Sequence, residues 1–492
     1  MTTEHAPPRE RFPTPGAGDE QTLTRLVRPG AVVTVLGIGF RGGALGAIRW
    51  LASRGVRLRV VDDAPAEHLA PTLRTLKHYV DPESILWEFG GASRDVLHNC
   101  DLLVVNPAVR PTHPLVREAN KSGLPITTEI GLFLTHCPAP IVAITGTNGK
   151  TTTTLTTHRI LKHSRRRAWV GGNLGISLLP RLPAIRADHV VVLELSSFQL
   201  FWLRSCPRMV DVSVVTSFAR DHLDWHPSLS HYRATKQSLL HRTRPDGICI
   251  LNATDDEVST WTAPSEIVYA GANQGWNVSI DEAGISVDLD DQHGRLAWPD
   301  RLRHASTPLQ VNIALATAAA LVAGGNLEGL LRTLATFRPV PHRLQYIGCV
   351  GHRHIVDDSV ATSPHATAEA IRWAAARWPD RIWVILGGRS KGQDYRPLMQ
   401  LAAAACRGIA LVGENRGTLL ALLPRTARQA AQLCDSLQEA LEWCLRSSSA
   451  GDVILFSPAS ASTDMFRDYR ERGRSFRRLI RTATQRSPHW AG

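Results

Sequence analysis

The chain has 492 residues, too many for one hydrophobic core, and length alone points to about three domains. With 43% hydrophobic and 20% charged residues it is composed like an ordinary globular protein, so most of it is expected to fold. A formal net charge of +12 suits either nucleic acid or small anions as partners. Basic residues are densest at Arg165-Arg-Arg167 and from Arg467 to Arg481, and no aromatic-interleaved basic stripe accompanies them, which favours small anions such as nucleotides and sets nucleic acid aside. The eight cysteines include no C-x-x-C pair, so they suggest neither a zinc site nor a disulfide scaffold. No signal-peptide core and no run long enough for membrane insertion is present, and a cytoplasmic enzyme is expected.

In chain order, residues 1–22, rich in Pro, Gly and charge, are expected to form a disordered leader. A first domain, 23–138, opens with the strand Ala31-Val-Val-Thr-Val-Leu-Gly37, a turn carrying Gly37, Gly39 and Gly42, a helix from Ala44 to Ala52, and a strand Val56 to Val61 ending at Asp62. Glycines at a strand-to-helix turn with an acid about 20 residues on reproduce the dinucleotide fingerprint. The same geometry receives any diphosphate, and the glycines also serve simple strand–helix packing. Strands at Leu102 to Asn106 and Pro125 to Glu129 follow, and Pro138-Ala-Pro140 reads as a linker.

The second domain, 139–339, begins with the strand-breaking stretch Ile141 to Thr154. In Gly146-Thr147-Asn148-Gly149-Lys150-Thr151-Thr152 the glycines let backbone N–H groups face phosphate oxygens. Lys150 supplies a mobile charge there, and Thr151 a hydroxyl for Mg²⁺. The spacing G-x-x-G-K-T is two residues shorter than the usual loop of this kind. Apolar strands at His189 to Glu194, Met209 to Val215 and Ile248 to Asn252 are of the type buried in a parallel sheet. Asn277 to Trp298 is expected to make a small accessory sheet, and the Ala-rich stretch Asn312 to Ala323 a helix. Glu194, at a strand end, is placed to hold Mg²⁺ with Thr151 or to cap the turn that follows. Beyond Pro339-Val-Pro341, a third domain, 340–492, alternates strands and helices again, giving an α/β chain with Rossmann-like outer domains and a central parallel-sheet ATPase-type domain.

The motifs Gly146 to Thr152, Gly171-Gly-Asn-Leu-Gly175, Glu194-Leu-Ser-Ser-Phe-Gln199, Asp221-His-Leu-Asp224, Pro341-His-Arg343, Ala361-Thr362 with Pro364 to Thr367, and Ser457-Pro-Ala-Ser-Ala-Ser462 occur in the order and rough spacing of the Mur ligases. The chain resembles that family from about residue 30 to 480, and Phe198-Gln199 with the Ser-Pro-Ala tail resembles its glutamate-adding branch. The resemblance implies an ATP- and Mg²⁺-dependent ligase of peptidoglycan synthesis. It would join glutamate, D-glutamate in that branch, to UDP-N-acetylmuramoyl-L-alanine through an acyl phosphate. It implies phosphate contacts from Lys150 and Thr151, and Mg²⁺ ligation by Glu194, His222 and a carbamylated Lys236. Nucleotide contacts would come from Asn312, Arg343 and Asp358, and a substrate contact from Asn173. Gly37, Gly39, Gly42 and Asp62 would hold UDP, while Thr362, Lys391, Ser462 and Tyr469 would grip glutamate. Carbamylation needs a neutral amine, hence a depressed Lys236 pKa. A monomer is expected, with the third domain closing on the second when ligands bind.

Departures from the family pattern are as informative. Val360 stands where the family has a lysine, with Arg389 the nearest candidate replacement, and Ser390 stands where Asp is usual. Pro308-Leu309 replaces His-Asn, and Ser217 and Ala219 replace Asn and Ser or Thr. These leave the enantiomer of glutamate open. Competing readings are another Mur-type or folylpolyglutamate-type ligase, a dinucleotide-binding oxidoreductase, and a non-catalytic nucleotide-binding regulator. The oxidoreductase leaves the phosphate loop, Glu194 and His222 without a role.

Overall fold

Strands such as Ile141–Thr145 and Val190–Glu194 are apolar almost throughout and buried at every position, the pattern of parallel strands covered on both faces by helices. The computed structural model describes residues 20–486 apart from 40–42, 92, 207, 273–274, 290–291, 304, 339–340 and 391. Among these, the strands form three sheets in two compact units, one of residues 1–218 with 233–336 and one of 219–232 with 337–492. The chain is α/β throughout. No helix among the described residues is long and apolar enough to cross a membrane.

The first unit holds two sheets. One is five-stranded and wholly parallel, in the order Ile85–Phe89, Arg57–Asp62, Val32–Leu36, Leu102–Val105, Ile126–Thr127. The strand Ile85–Phe89 is a half-exposed edge, and the helix Ala66–Leu76, although it contains Pro71, buries Leu69, Thr72 and Leu76 at helical spacing. The other sheet has nine strands, running Gln292–Ala297, Gly284–Leu289, Val278–Ile280, Glu266–Ala272, Thr243–Asn252, Val210–Val215, Ile141–Thr145, Val190–Glu194, Ala168–Gly172.

Two expectations need correction. The 277–298 region is no separate sheet: Val278–Ile280 pairs in parallel with Glu266–Ala272, and two antiparallel strands simply extend the large sheet. Around the expected linker 138–140, Cys137 and Ala139 are buried in a core cluster that also contains Val33 and Ile141, while Pro138 and Pro140 are exposed. The leader lies outside the described residues except at its end, where Glu20 already opens the helix Glu20–Leu26.

The second unit holds a six-stranded sheet, Gln345–Val350, Arg353–Asp357, Val453–Phe456, Ile382–Gly387, Cys406–Val412, Ala431–Leu433, parallel except for its first pair. Behind it, the helix Tyr469–Arg486 is fastened by a buried polar network. Arg472, 1% exposed, donates to the carbonyls of Ser460 and Ser359 at 2.9 Å each, and Arg477 Nε donates to Asp357 at 2.8 Å. Burial lowers the Arg472 pKa to about 10, so the guanidinium stays charged at neutral pH. Gly473 permits this contact, because a Cβ there would lie 2.2 Å from His342 Nδ1 and 2.3 Å from Ser359 Oγ. Gly473→Ala is therefore expected to destabilise the fold by about 2–3 kcal/mol, read as a lower urea midpoint; an unchanged midpoint would show that the helix is not held this way.

Candidate functional site

The phosphate loop leaves the buried strand Ile141–Thr145 with Gly146 at φ 149° and ends with Gly149 at φ 88°, where the helix Lys150–His163 starts without a side-chain cap. The first-turn N–H groups of an uncapped helix are the natural partners of an anion. Both glycines are also sterically required: a Cβ on Gly146 would lie 2.0 Å from Thr216 Oγ1, and one on Gly149 2.2 Å from Asn312 Oδ1. The side chain of Asn312, from the helix Thr307–Val322, thus lies directly against the loop.

The next strand end braces the loop, a feature sequence reasoning noted only as a departure. Thr147 N–H donates to Ser217 O at 2.8 Å, and Asn148 N–H to Ser217 Oγ at 2.9 Å. Those two N–H groups are therefore committed to shaping the loop, which narrows the expectation that the loop's backbone as a whole faces phosphate. Lys150 Nζ folds back onto the carbonyls of Gly146 and Thr147, at 2.7 and 2.8 Å. Lys236, 1% exposed on the helix Leu229–Gln237, donates to the same Gly146 carbonyl at 2.7 Å. Thr152, 2% exposed, is part of the core beneath.

Glu194 completes this group. It is 3% exposed and accepts the Thr151 hydroxyl on Oε2 at 2.6 Å and the Asn173 amide on Oε1 at 2.8 Å. The capping alternative is removed, because Ser196 caps the helix Ser197–Trp202 and Gln199 closes the capping box. Among the described residues no three His, Cys, Asp or Glu side chains converge. The hard oxygen donors that do meet are the Thr151 hydroxyl and the Glu194 carboxylate. They are hydrogen-bonded at 2.6 Å, and both are oxygen donors of the kind Mg²⁺ takes beside phosphate and water.

In the five-stranded sheet, Gly37 and Gly39 have φ of 82° and 63°, and Gly42 lies outside the described residues. Asp62 Oδ2 accepts Ile38 N–H at 2.7 Å and Oδ1 accepts Ala64 N–H at 2.9 Å. Both oxygens hold the turn, so a ligand hydroxyl would have to share them. Asn106, at the neighbouring strand end, borders the turn: a Cβ on Gly39 would lie 2.7 Å from its amide nitrogen. No sequence signal beyond its place at a strand end marked it.

The second unit carries the remaining candidates. His222 adopts φ 54°, unusual for a non-glycine residue, and its N–H donates to Asp221 Oδ1 at 2.9 Å. Asp357 and Asp358 are both buried but titrate in opposite senses. Burial alone would raise Asp357, but bonds from His342, Ser359 and Arg477 outweigh it and hold the carboxyl below its usual range. For Asp358, burial prevails over the Ser457 hydroxyl at 2.6 Å and the Arg343 charge, and the pKa rises to about 7. A folded pKa above the unfolded value gives stability that is complete below about pH 4 and lost as pH rises through 7. Wild type is thus expected to fall behind Asp358→Asn by several degrees in Tm between pH 5 and 8, and parallel Tm curves would contradict this.

Thr362 and Val360 are half-buried in the loop before the helix Pro364–Ala375. Ser462 is buried, and half-buried Tyr469 opens the last helix with the Arg470 guanidinium 5.1 Å from its ring centre. Lys391 lies outside the described residues. Arg389, named above as the nearest candidate replacement for the family lysine, forms a solvent-exposed pair through its Nε with Glu414 at 3.1 Å.

Three family models match along most of the chain. The Mur ligase MurD-like N-terminal domain matches residues 31–128, the Mur ligase middle domain 144–320, and the Mur ligase glutamate ligase domain 342–460. The UDP-N-acetylmuramoylalanine--D-glutamate ligase of Symbiobacterium thermophilum is 33% identical over 91% of this chain and 97% of its own length. The chain is a Mur ligase. The ligase of the same name from a Roseiflexus species is 31% identical over 92% of this Mur ligase and 98% of its own length. Among solved structures, UDP-N-acetylmuramate-alanine ligase from Thermotoga maritima, 20% identical, aligns over 92% of this chain and 99% of its own with a TM-score of 0.58. MurF from Acinetobacter baumannii, 16% identical, covers 94% of this chain and 92% of its own with a TM-score of 0.57. These two likenesses concern the fold.

Proposed function

We propose that this Mur ligase uses ATP to join glutamate to UDP-N-acetylmuramoyl-L-alanine in peptidoglycan synthesis. The observation that carries the reading is the buried Glu194, bonded to both Thr151 and Asn173 beside an uncapped phosphate loop, in a chain whose near full-length relatives bear that ligase's name. A free carboxylate is a poor acyl donor. The substrate carboxylate oxygen therefore attacks the γ-phosphorus, the bond to ADP breaks, and an acyl phosphate forms. The amine of glutamate, once deprotonated, adds to the acyl carbon, and phosphate leaves.

Each step brings anions together, and the chain's own groups answer that. Lys150 leaves the loop carbonyls for the phosphates, the first-turn N–H groups from Gly149 to Thr152 face the same anion, and Asn312 borders the nucleotide. Magnesium, when bound through Thr151, Glu194, His222 and Lys236, supplies further charge neutralisation at the transferred phosphoryl group. Arg343 and Asp358 are assigned to the nucleotide, Gly37, Gly39, Gly42, Asp62 and Asn173 to the UDP-substrate, and Thr362, Lys391, Ser462 and Tyr469 to glutamate. The division of labour proposed is UDP-substrate in 23–138, ATP in 139–339 and glutamate in 340–492. ATP and a nucleotide sugar as substrates suit a cytoplasmic location, and no second copy of the chain is required.

Phosphate release that needs both UDP-N-acetylmuramoyl-L-alanine and glutamate tests the reading; release without either would overturn it. D-glutamate is the proposed acceptor on the strength of the relatives' names. Product chirality with each enantiomer tests that detail, and incorporation of L-glutamate would overturn it while leaving the reaction class intact.

Lys236 is proposed to act as a carbamate. Its 1% exposure favours the neutral amine that CO₂ requires, while the Gly146 carbonyl at 2.7 Å favours the ammonium. A carbamate carbon signal in ¹³C NMR under ¹³CO₂, absent from Lys236→Arg, is the expected result; identical spectra would exclude it.

A further inference from the structure

Arg343 stands between two residues in the left-handed backbone region, His342 at φ 70° and Leu344 at φ 40°. Non-glycine residues keep such a backbone only where surrounding contacts enforce it. Here the contacts come from the strand end at Asp357 and Asp358, in the same compact unit. His342 Nδ1 lies 2.9 Å from Asp357 Oδ2, and Leu344 N–H donates to Asp358 Oδ1 at 3.1 Å. Val360 N–H adds a bond to the His342 carbonyl at 3.1 Å. Asp358 is buried, accepts the Ser457 hydroxyl on its other oxygen at 2.6 Å, and feels the Arg343 charge. The turn that carries Arg343 is thus held against Asp358 from both flanks.

One side chain of the last helix closes this brace from behind. Arg477 Nε donates to the same Asp357 Oδ2 at 2.8 Å, and its Nη2 donates to Gln345 Oε1 at 2.5 Å. Gln345 Oε1 also accepts the N–H of His342 at 3.1 Å, and Arg477 Nη2 lies 3.3 Å from His342 Nδ1. A single guanidinium therefore spans the strand end that leads into Asp358 and the residues flanking Arg343. The Asp357 side chain is fully buried, so a missing cation beside it would leave a charge out of water with less compensation. Anchoring the helix does not require this contact. Arg472 already bonds the carbonyls of Ser460 and Ser359, and the Phe476 ring packs on Phe456 with centroids 4.6 Å apart.

We propose that Arg477 is a positioning residue for the nucleotide: through Asp357 and Gln345 it fixes the turn from His342 to Leu344, and with it the place of Arg343 beside Asp358. It acts through these neighbours and is not itself required to touch ATP. The inference rests on the proposed ligase reading, in which Arg343 and Asp358 contact the nucleotide. It adds a residue outside the motifs that carry the family resemblance.

Arg477→Met keeps much of the side chain's length and removes its donors. The expected result is a KM for ATP raised about tenfold, the size expected for losing one charge-assisted hydrogen bond. KM values for UDP-N-acetylmuramoyl-L-alanine and glutamate should stay within about twofold. A lower Tm is expected, since Asp357 loses a cationic partner, and KM is read at a temperature where the variant is folded. Gln345→Met withdraws the acceptor that Arg477 shares with the His342 N–H while leaving Arg477 on Asp357. It is expected to raise the ATP KM in the same selective way, and it covers the case in which Arg477→Met folds poorly. An ATP KM equal to wild type in either folded variant, or a parallel rise in all three KM values as from a loosened unit, would overturn the proposal. Wild type that forms no glutamyl product would instead overturn the ligase reading, so the two failures are distinguishable.

Discussion

Lys150→Ala is expected to lower kcat for ligation by about a thousandfold, with little change in Tm. The Lys150 ammonium sits on the carbonyls of Gly146 and Thr147, at the loop and not in the core, and Lys236 still donates to Gly146 when Lys150 is gone. The loop's shape also survives, because Ser217 holds Thr147 and Asn148 from the neighbouring strand end. What is lost is the only loop side chain able to carry a positive charge to the transferred phosphoryl group. Phosphate release measured with saturating substrates checks this. A variant retaining full ligation would remove the phosphate loop from the mechanism.

Glu194→Gln is the second large effect, an expected loss of about a hundredfold or more in kcat together with a higher Mg²⁺ concentration for half-maximal rate. The change is nearly isosteric, so packing is preserved, but the charge is removed and one carboxylate oxygen becomes an NH₂ group. That group would face either the Thr151 hydroxyl, which can turn to accept, or the Asn173 amide, which accepts only by flipping its oxygen into place. Tm is expected to change little or to rise, since a buried charge has been taken away. Rates measured against Mg²⁺ check the prediction, and a wild-type Mg²⁺ dependence would exclude Glu194 as a metal ligand.

The contrast between these two positions shows how far local sequence reaches. The phosphate loop was legible because glycine, lysine and threonine at a strand-to-helix junction impose their geometry locally, through backbone freedom and a helix end. Glu194 was legible as a polar residue ending an apolar strand, but its alternative role as a cap was decided only by Ser196 and Gln199 taking that place. Arg389 carried the charge expected of a substitute for the lysine replaced by Val360, and only the fold shows that Glu414, 25 residues away, is its neighbour. Charge is a property of the residue, whereas its availability is a property of the neighbours.

By itself the sequence determined the α/β class, the apolar parallel strands of the core sheets, the phosphate loop and the family. All of these follow from patterns within a few turns or strands of one another. Only the tertiary structure decided that 277–298 continues the large sheet, that Ser217 braces the phosphate loop, that Arg472 and Gly473 fasten the last helix, and that Arg477 reaches both Asp357 and Gln345. Those outcomes depend on which hydrogen-bonding groups meet across long stretches of chain once the core has closed, and no local period or propensity encodes such a meeting.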